Sequence, residues 1–302
     1  MTSEISCNPQ FIGDHLPLSV AIREGHEEMV ELLLKHGADP NVDNYRDISP
    51  LVHAAEKGNS NIIKLLLAYG ADINLVPVNG SVTKSALHCA VVRENLDVVQ
   101  LLLDNIMIDV NTVIANKMIA LHSGALFIDD NFNVVQHLLD AGADANAVNG
   151  YGHSALDISC LKCSTEIESM ILKHIVKLSA ANFYVSKKNL AEVTDKVFEE
   201  LRIQCCEEVQ KMKKTYITGS NFTFYDVLCM DQHSLAVRLT HIKPKIIINL
   251  NTESIFPLYG GMLNYRLKKE LRRKKLLLKV KSRIYSIFDK MELPSTCTRE
   301  VF

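Results

Sequence analysis

No apolar run in the sequence approaches the roughly 18 residues that a membrane-spanning helix needs. The first residues, Met1 to Ser6, lack the basic and apolar pattern of a secretory signal. The formal net charge is only −2, so charge gives no argument for binding to nucleic acid or to a membrane. These absences predict a soluble protein of the cytoplasm or the nucleus that is not secreted through a signal peptide and has no membrane partner.

The sequence also lacks the short motifs of common enzyme classes. It has no G-x-G-x-x-G, no P-loop, no H-E-x-x-H and no G-x-S-x-G, so we expect no enzyme and no cofactor. The eight cysteines fit reduced thiols in an intracellular chain. Cys160 and Cys163 form a C-x-x-C pair, but structural zinc needs a second ligand pair, and His174 is the nearest candidate. We therefore expect no metal site.

A short turn motif recurs at a nearly fixed period. Residues 36–41 read HGADPN, residues 69–74 read YGADIN and residues 141–146 read AGADAN. Gly37 and Gly70 are 33 positions apart, and Gly142 follows Gly70 by 72 positions, about two repeats. Each copy follows a leucine-rich run with helical spacing. A period of this size is typical of stacked helix-pair repeats, which bind partners along an open surface.

A second motif recurs in phase with the first. Its leucines are spaced by 33, 36, 34 and 35 positions, at Leu18, Leu51, Leu87, Leu121 and Leu156. A Ser before such a position can cap free amides, and Pro fits the first helical turn. Glycines stand where helices should end in a left-handed conformation, at Gly25, Gly37, Gly58, Gly70 and Gly142.

The segment Ser49-Pro50-Leu51-Val52-His53-Ala54 and its copies resemble the opening of the ankyrin repeat, T-P-L-H-x-A. The resemblance covers residues 9–178 and implies five helix pairs. The predicted fold class is all-α, an ankyrin-repeat solenoid over 9–178 and a helical C-terminal region over 179–302. The resemblance also implies that the side chains of His88 and His122 hydrogen-bond to the backbone of the neighbouring repeat.

In this family, partners bind a concave face made of hairpin tips and first helices. The corresponding tip residues here are Asn44, Tyr45, Arg46, Asp47, Asn79, Asn116, Lys117, Asn149 and Tyr151. Tyr45, Arg46 and Tyr151 are the strongest candidates, because Tyr and Arg often dominate binding energy. The alternative is that these polar tips are only solvated turns.

Some repeats depart from the pattern. The third lacks the Gly-Ala-Asp turn, and we expect Asn105 to take the left-handed cap there. The fourth has a two-residue insertion around residues 127–131. After the repeats, apolar spacing predicts one helix over 189–214, a helix within 222–239 and a long helix over 262–291.

That last helix contains the densest basic run, from Arg266 to Arg283. One interpretation is an amphipathic helix packed on its neighbours, with a solvated basic face. A second is a nuclear import signal at Arg272, Arg273, Lys274 and Lys275. Binding to an acidic protein, a membrane surface or a nucleic acid is the third.

Near the end, Leu293 and Pro294 look like the start of an F-box-like motif. Ankyrin repeats followed by such an element resemble the poxvirus-type PRANC proteins, which also occur in parasitoid wasps and intracellular bacteria. That resemblance implies recruitment of Skp1 and cullin-1, the core of a ubiquitin ligase. The ten residues from Leu293 to Phe302 cover only the start of such a motif.

Together these features predict a non-enzymatic adaptor whose repeats capture a target protein and link it to the ligase. One alternative is a decoy that resembles the inhibitors of NF-κB-type transcription factors and binds through the repeats alone. The other is a nuclear or nucleic-acid-associated protein that uses the basic helix.

Overall fold

A computed structural model describes residues 17–42, 48–77, 84–126, 132–239, 242, 247 and 250–290. The chain divides into two compact units, one up to Cys205 and the other from Cys206 onward. Each unit is described by itself.

The first unit is built from consecutive helix pairs. They are α1 (Pro17–Glu24) with α2 (Glu27–Lys35), α3 (Pro50–Lys57) with α4 (Ser60–Ala68), α5 (Ala86–Val92) with α6 (Leu96–Leu103), α7 (Ala120–Gly124) with α8 (Phe132–Asp140), and α9 (Ala155–Leu161) with α10 (Thr165–Ala180). Short helix α11 (Lys187–Glu192) follows.

The predicted start and stop signals act as expected in α3. Ser49 is the N-cap and accepts a hydrogen bond from the Val52 amide, while Pro50 occupies the first turn. Gly58 ends the helix with φ of 74°, a left-handed conformation that costs glycine little. In the third and fifth repeats the same position is taken by Glu94 and Cys163, each with φ of 56°.

The pairs stack in two layers. First helices α1, α3, α5, α7 and α9 each contact the next, and second helices α2, α4, α6, α8 and α10 do the same. Leu66, Leu102, Leu138 and Ile171 of the second helices are completely buried. Each such side chain stabilises the fold by roughly 1.5–3 kcal/mol. The prediction of five stacked helix pairs is confirmed.

The expectation for Asn105 is wrong. Asn105 is absent from the described residues with positive φ, and Asp104, the C-cap residue of α6, has an ordinary φ of −68°. The longer turn lets the Asn105 side chain accept a hydrogen bond from the Met107 amide at 2.9 Å, so a tight left-handed reversal is unnecessary. The insertion over 127–131 lies outside the described residues.

The single helix predicted over 189–214 is also wrong. Helix α11 ends at Glu192, a 3-10 turn covers Lys196–Phe198, and α12 runs over Glu199–Lys214. Asp195 has an extended backbone, with φ of −62° and ψ of 150°, so a helix cannot continue through it. Val197 is 83% exposed, so it does not join the apolar face that the spacing indicated.

The second unit contains α13 (Phe224–Cys229), α14 (Gln232–Leu239), α15 (Thr252–Ile255) and α16 (Gly260–Lys290). The one helix expected within 222–239 is two, because Asp231 accepts a hydrogen bond from the Ser234 amide at 2.9 Å and starts a new helix. The long basic helix is confirmed. Its N-terminal half packs on α13, α14 and α15.

Candidate protein-binding surface

Asparagine side chains join each turn of the array to the next. Asn111 Nδ2 donates to the Gly142 carbonyl at 3.2 Å, and its Oδ1 accepts from the Asp144 amide at 2.8 Å. The same pair of bonds recurs along the array, from Asn41 to Gly70 and Asp72, from Asn74 to Met107 and Asp109, and from Asn146 to Tyr184 and Ser186. We call this series the asparagine ladder. It joins each of these four turns to the next at two points.

The last step of the ladder uses residues outside the repeat motif. Asn146 reaches the Tyr184 carbonyl at 3.1 Å and the Ser186 amide at 2.8 Å. Ser186 then caps α11, and buried Asn189 donates to the Ala145 carbonyl at 2.9 Å. The ladder therefore closes on α11, beyond the end of the sequence motif.

The hairpins before α7 and α9 touch at their tips. The Gly150 amide donates to the Asn116 carbonyl at 2.5 Å. A Cβ at Gly150 would lie 3.1 Å from that oxygen, closer than a side chain normally packs. Val148 and Ser154 bridge the two arms of the second hairpin. These contacts hold the neighbouring tips in one continuous surface.

Buried histidines bind the first helices to the hairpins. The Ile119 amide donates to His122 Nδ1 at 3.1 Å, which leaves Nε2 to donate to the Ala147 carbonyl at 3.1 Å. This confirms the bond expected for His122. His88 Nδ1 instead bonds the Ser85 hydroxyl at 2.7 Å; its Nε2 lies near the Met118 carbonyl but makes no hydrogen bond of good geometry.

Ion pairs join neighbouring helices of the array. Arg93 contacts Glu56 at 2.5 Å, and Lys188 contacts Asp157 at 2.6 Å. Arg93 and Lys188 are each 56% exposed, so water screens these pairs and each contributes little stability. Their charges remain accessible to a partner.

Comparison with known proteins agrees with this geometry. Residues 18–114 and 76–149 match the family model described as ankyrin repeats (3 copies). Residues 18–149 are ankyrin repeats. The helix pair α9–α10 continues the same stacking beyond the matched residues.

A relative comes from Fowlpox virus (strain NVSL), where its name calls it an ankyrin repeat protein. It is 28% identical to this chain over 255 residues. The alignment covers 80% of this chain but 63% of the relative, so the chain spans less than two thirds of that protein's length.

Three of the predicted tip residues are exposed on the ankyrin array. Asn116 and Lys117 have φ of 58° and 54° and face solvent, and Tyr151 is 72% exposed. Asn149 is buried, because its Oδ1 accepts from the Tyr151 and His153 amides at 2.9 and 3.1 Å. The other predicted tip residues lie outside the described residues, namely Asn44, Tyr45, Arg46, Asp47 and Asn79.

The prediction of tip residues from the repeat motif did not include two exposed apolar residues beside these tips. Val113 and Val148 are 55% and 51% exposed, and each lies two positions after a ladder asparagine. Their spacing of 35 residues equals that between Asn111 and Asn146, so they are equivalent positions of neighbouring repeats. Alignment of the repeats from their asparagines, rather than from Gly-Ala-Asp, would have found them. We call Val113, Lys117, Val148 and Tyr151 the tip surface.

The basic residues predicted as a nuclear signal have different environments in the second unit. Lys274 is buried, and its Nζ donates to the Leu239 and Ile242 carbonyls at 2.8 and 2.7 Å. Burial lowers the pKa of this amine. Arg273 bonds Gln232 at 3.1 Å, Arg272 is half-buried and Lys275 is exposed. The four residues therefore do not form one exposed basic cluster in the folded unit.

The described residues were predicted to hold no metal site. Among them, no group of three or more His, Cys, Asp or Glu side chains could hold a metal ion. Cys160 and Cys163 are free and exposed, whereas His174 is buried and its pKa is lowered by burial to about 3. Within this part of the chain, no helix is both long and apolar enough to cross a membrane. Leu293 and Pro294 lie outside it.

Proposed function

We propose that this chain is a protein-binding adaptor whose ankyrin array captures a target through the tip surface. The observation that carries the proposal is the pairing of exposed apolar side chains with a rigid support. Val148 and Tyr151 are half or more exposed, yet their hairpin is bonded to Asn116 on one side and to the ladder on the other.

Rigid support favours binding for a physical reason. A partner that docks on fixed tips loses little additional conformational entropy, so more of the contact energy appears as affinity. Tyr151 can bury its ring and still hydrogen-bond through its hydroxyl, as residues that dominate interfaces commonly do. Lys117 beside it favours an acidic group on the partner.

Affinity capture from a host-cell lysate tests this function. Replacement of Tyr151 and Lys117 by Ala should weaken retention of the principal partner by about 2 kcal/mol or more, roughly 30-fold, as loss of a central anchor does. Tyr184→Ala is the matched control, because Tyr184 is 79% exposed but contributes its backbone carbonyl, not its ring, to the ladder. Equal retention by all three proteins would contradict a role for the tip surface.

We further propose that the captured target is passed to a ubiquitin ligase through the C-terminal region. The support for this is the resemblance of Leu293 and Pro294 to the start of an F-box-like motif after ankyrin repeats. The same capture experiment tests this proposal. Skp1 and cullin-1 should co-purify with a chain carrying its natural C-terminus. If they do not, the ligase link is contradicted, while target capture by the array is unaffected.

A further inference from the structure

The C-terminal half of α16 has a different environment from the half that packs in the second unit. Leu263, Leu267 and Lys274 are buried. From Lys275 to Arg283, every side chain that the structure describes is exposed, at positions 275, 276, 278, 279, 280, 282 and 283. Three of them are aliphatic: Leu276, Leu278 and Val280 are 47%, 50% and 47% exposed.

Leu276 and Val280 are on another side of the helix from the packed face, whereas Leu278 lies about 40° from Lys274. At about 100° per residue, Leu276 and Val280 lie roughly 120–160° around α16 from buried Lys274. The apolar ridge therefore does not continue the packing of the N-terminal half. The sequence extends the same spacing with Ile284.

A basic ridge runs beside the apolar one. Lys275, Lys279 and Arg283 are exposed and follow one another at intervals of four residues, so they form a line along the helix. The segment 271–288 contains seven Lys or Arg residues and no Asp or Glu. The small net charge of the whole chain hides this local concentration.

We propose that residues 275–283 of α16 bind an anionic lipid surface, with Leu276 and Val280 entering the headgroup region and Lys275, Lys279 and Arg283 pairing with lipid phosphates and carboxylates. A helix with an apolar ridge beside a basic ridge suits such an interface, which takes up both. A nucleic acid would use the charges and leave the aliphatic side chains in water. A second copy of the helix would bring like charges together.

This inference selects one of the alternatives left open for the basic helix, a membrane surface, over the expectation of no membrane partner, which followed from the net charge of the whole chain. It is independent of target capture by the ankyrin array, since it concerns the second unit only. Each lysine near an anionic surface contributes about fivefold in affinity, and high salt weakens the attraction.

Sedimentation of the full chain with vesicles tests the proposal. The probes are vesicles of 70% phosphatidylcholine with 30% phosphatidylserine, and vesicles of phosphatidylcholine alone. We expect binding to the anionic vesicles in 0.1 M NaCl, little binding to the neutral ones, and release in 0.5 M NaCl, because the Debye length falls from about 10 Å to roughly half that value. Circular dichroism and the unfolding temperature check that each variant is folded, as expected for changes at exposed positions.

Two pairs of substitutions separate the ridges. Lys275→Gln with Lys279→Gln should weaken binding about 25-fold, and Leu276→Ser with Val280→Ser at least tenfold. The matched control is Lys57→Gln with Lys64→Gln, which removes two exposed lysines from the array and should have no effect. The proposal is overturned by failure to bind anionic vesicles, by equal loss in the control, or by an unaffected serine variant, which would indicate a general polyanion or acidic-protein site.

Discussion

The free energy of unfolding of the ankyrin array is expected to fall by several kcal/mol as the pH is lowered from 7 to 4. Burial lowers the pKa of His88 from its ordinary 6.5 to about 4, and that of His174 to about 3. Between these values and 6.5 the unfolded chain binds protons that the folded array does not, so stability rises with pH and is lost on acidification. For His88 alone the loss is about 3 kcal/mol.

A variant isolates this contribution from that of the carboxylates. His174→Leu keeps an apolar side chain at a buried position and removes the titrating group. Its stability relative to the original protein should improve by about 2 kcal/mol between pH 6.5 and pH 5. Denaturant unfolding at several pH values measures the difference. A difference that stays constant with pH would show that His174 is not buried in its neutral form.

Removal of the last ladder asparagine is expected to release the C-terminal edge of the array. Asn146→Ala loses the bonds to the Tyr184 carbonyl and the Ser186 amide, and also one from Asn189 at 3.2 Å. At about 1 kcal/mol for each bond, the cost is roughly 3 kcal/mol. Because Tyr184, Ser186 and Asn189 lie in or next to α11, the loss of stability should appear first in that helix.

Hydrogen exchange locates the effect. Amides of α11 should exchange at least 30-fold faster in Asn146→Ala, while those of α4 keep their rates, since local opening follows local stability. Asn133→Ala is the control, because Asn133 is exposed on α8 and its carbonyl bond to His137 at 2.7 Å comes from the backbone. If both variants exchange alike, the ladder does not hold α11 in place.

The stacked helix pairs could be predicted because the same signals for the start and the end of a helix recur in successive repeats. Ser49 before Pro50 and Gly58 at the end of α3 have local functions that do not depend on distant residues. Five copies in phase made the pattern unambiguous. Exposure of Tyr151 followed from its place at a hairpin tip.

Other features depend on contacts that no local pattern reveals. Cys163 and Glu94 take left-handed backbones without being glycine, so the residue type at this turn does not reveal its conformation. Lys274 is one of four adjacent basic residues, and only the packing of α16 beside the Leu239 and Ile242 carbonyls distinguishes it from exposed Lys275. The closing step at Ser186 replaces Asp with Ser, so the motif search could not extend the ladder to it.

Hydrogen exchange of the full chain, alone and with its captured partner, tests most directly whether the tip surface binds. The account predicts that the partner slows exchange in residues 111–119 and 146–154, while amides on the second helices α4, α6 and α8 are unchanged. Protection confined to those second helices, with hairpin tips exchanging as in the free protein, would contradict it.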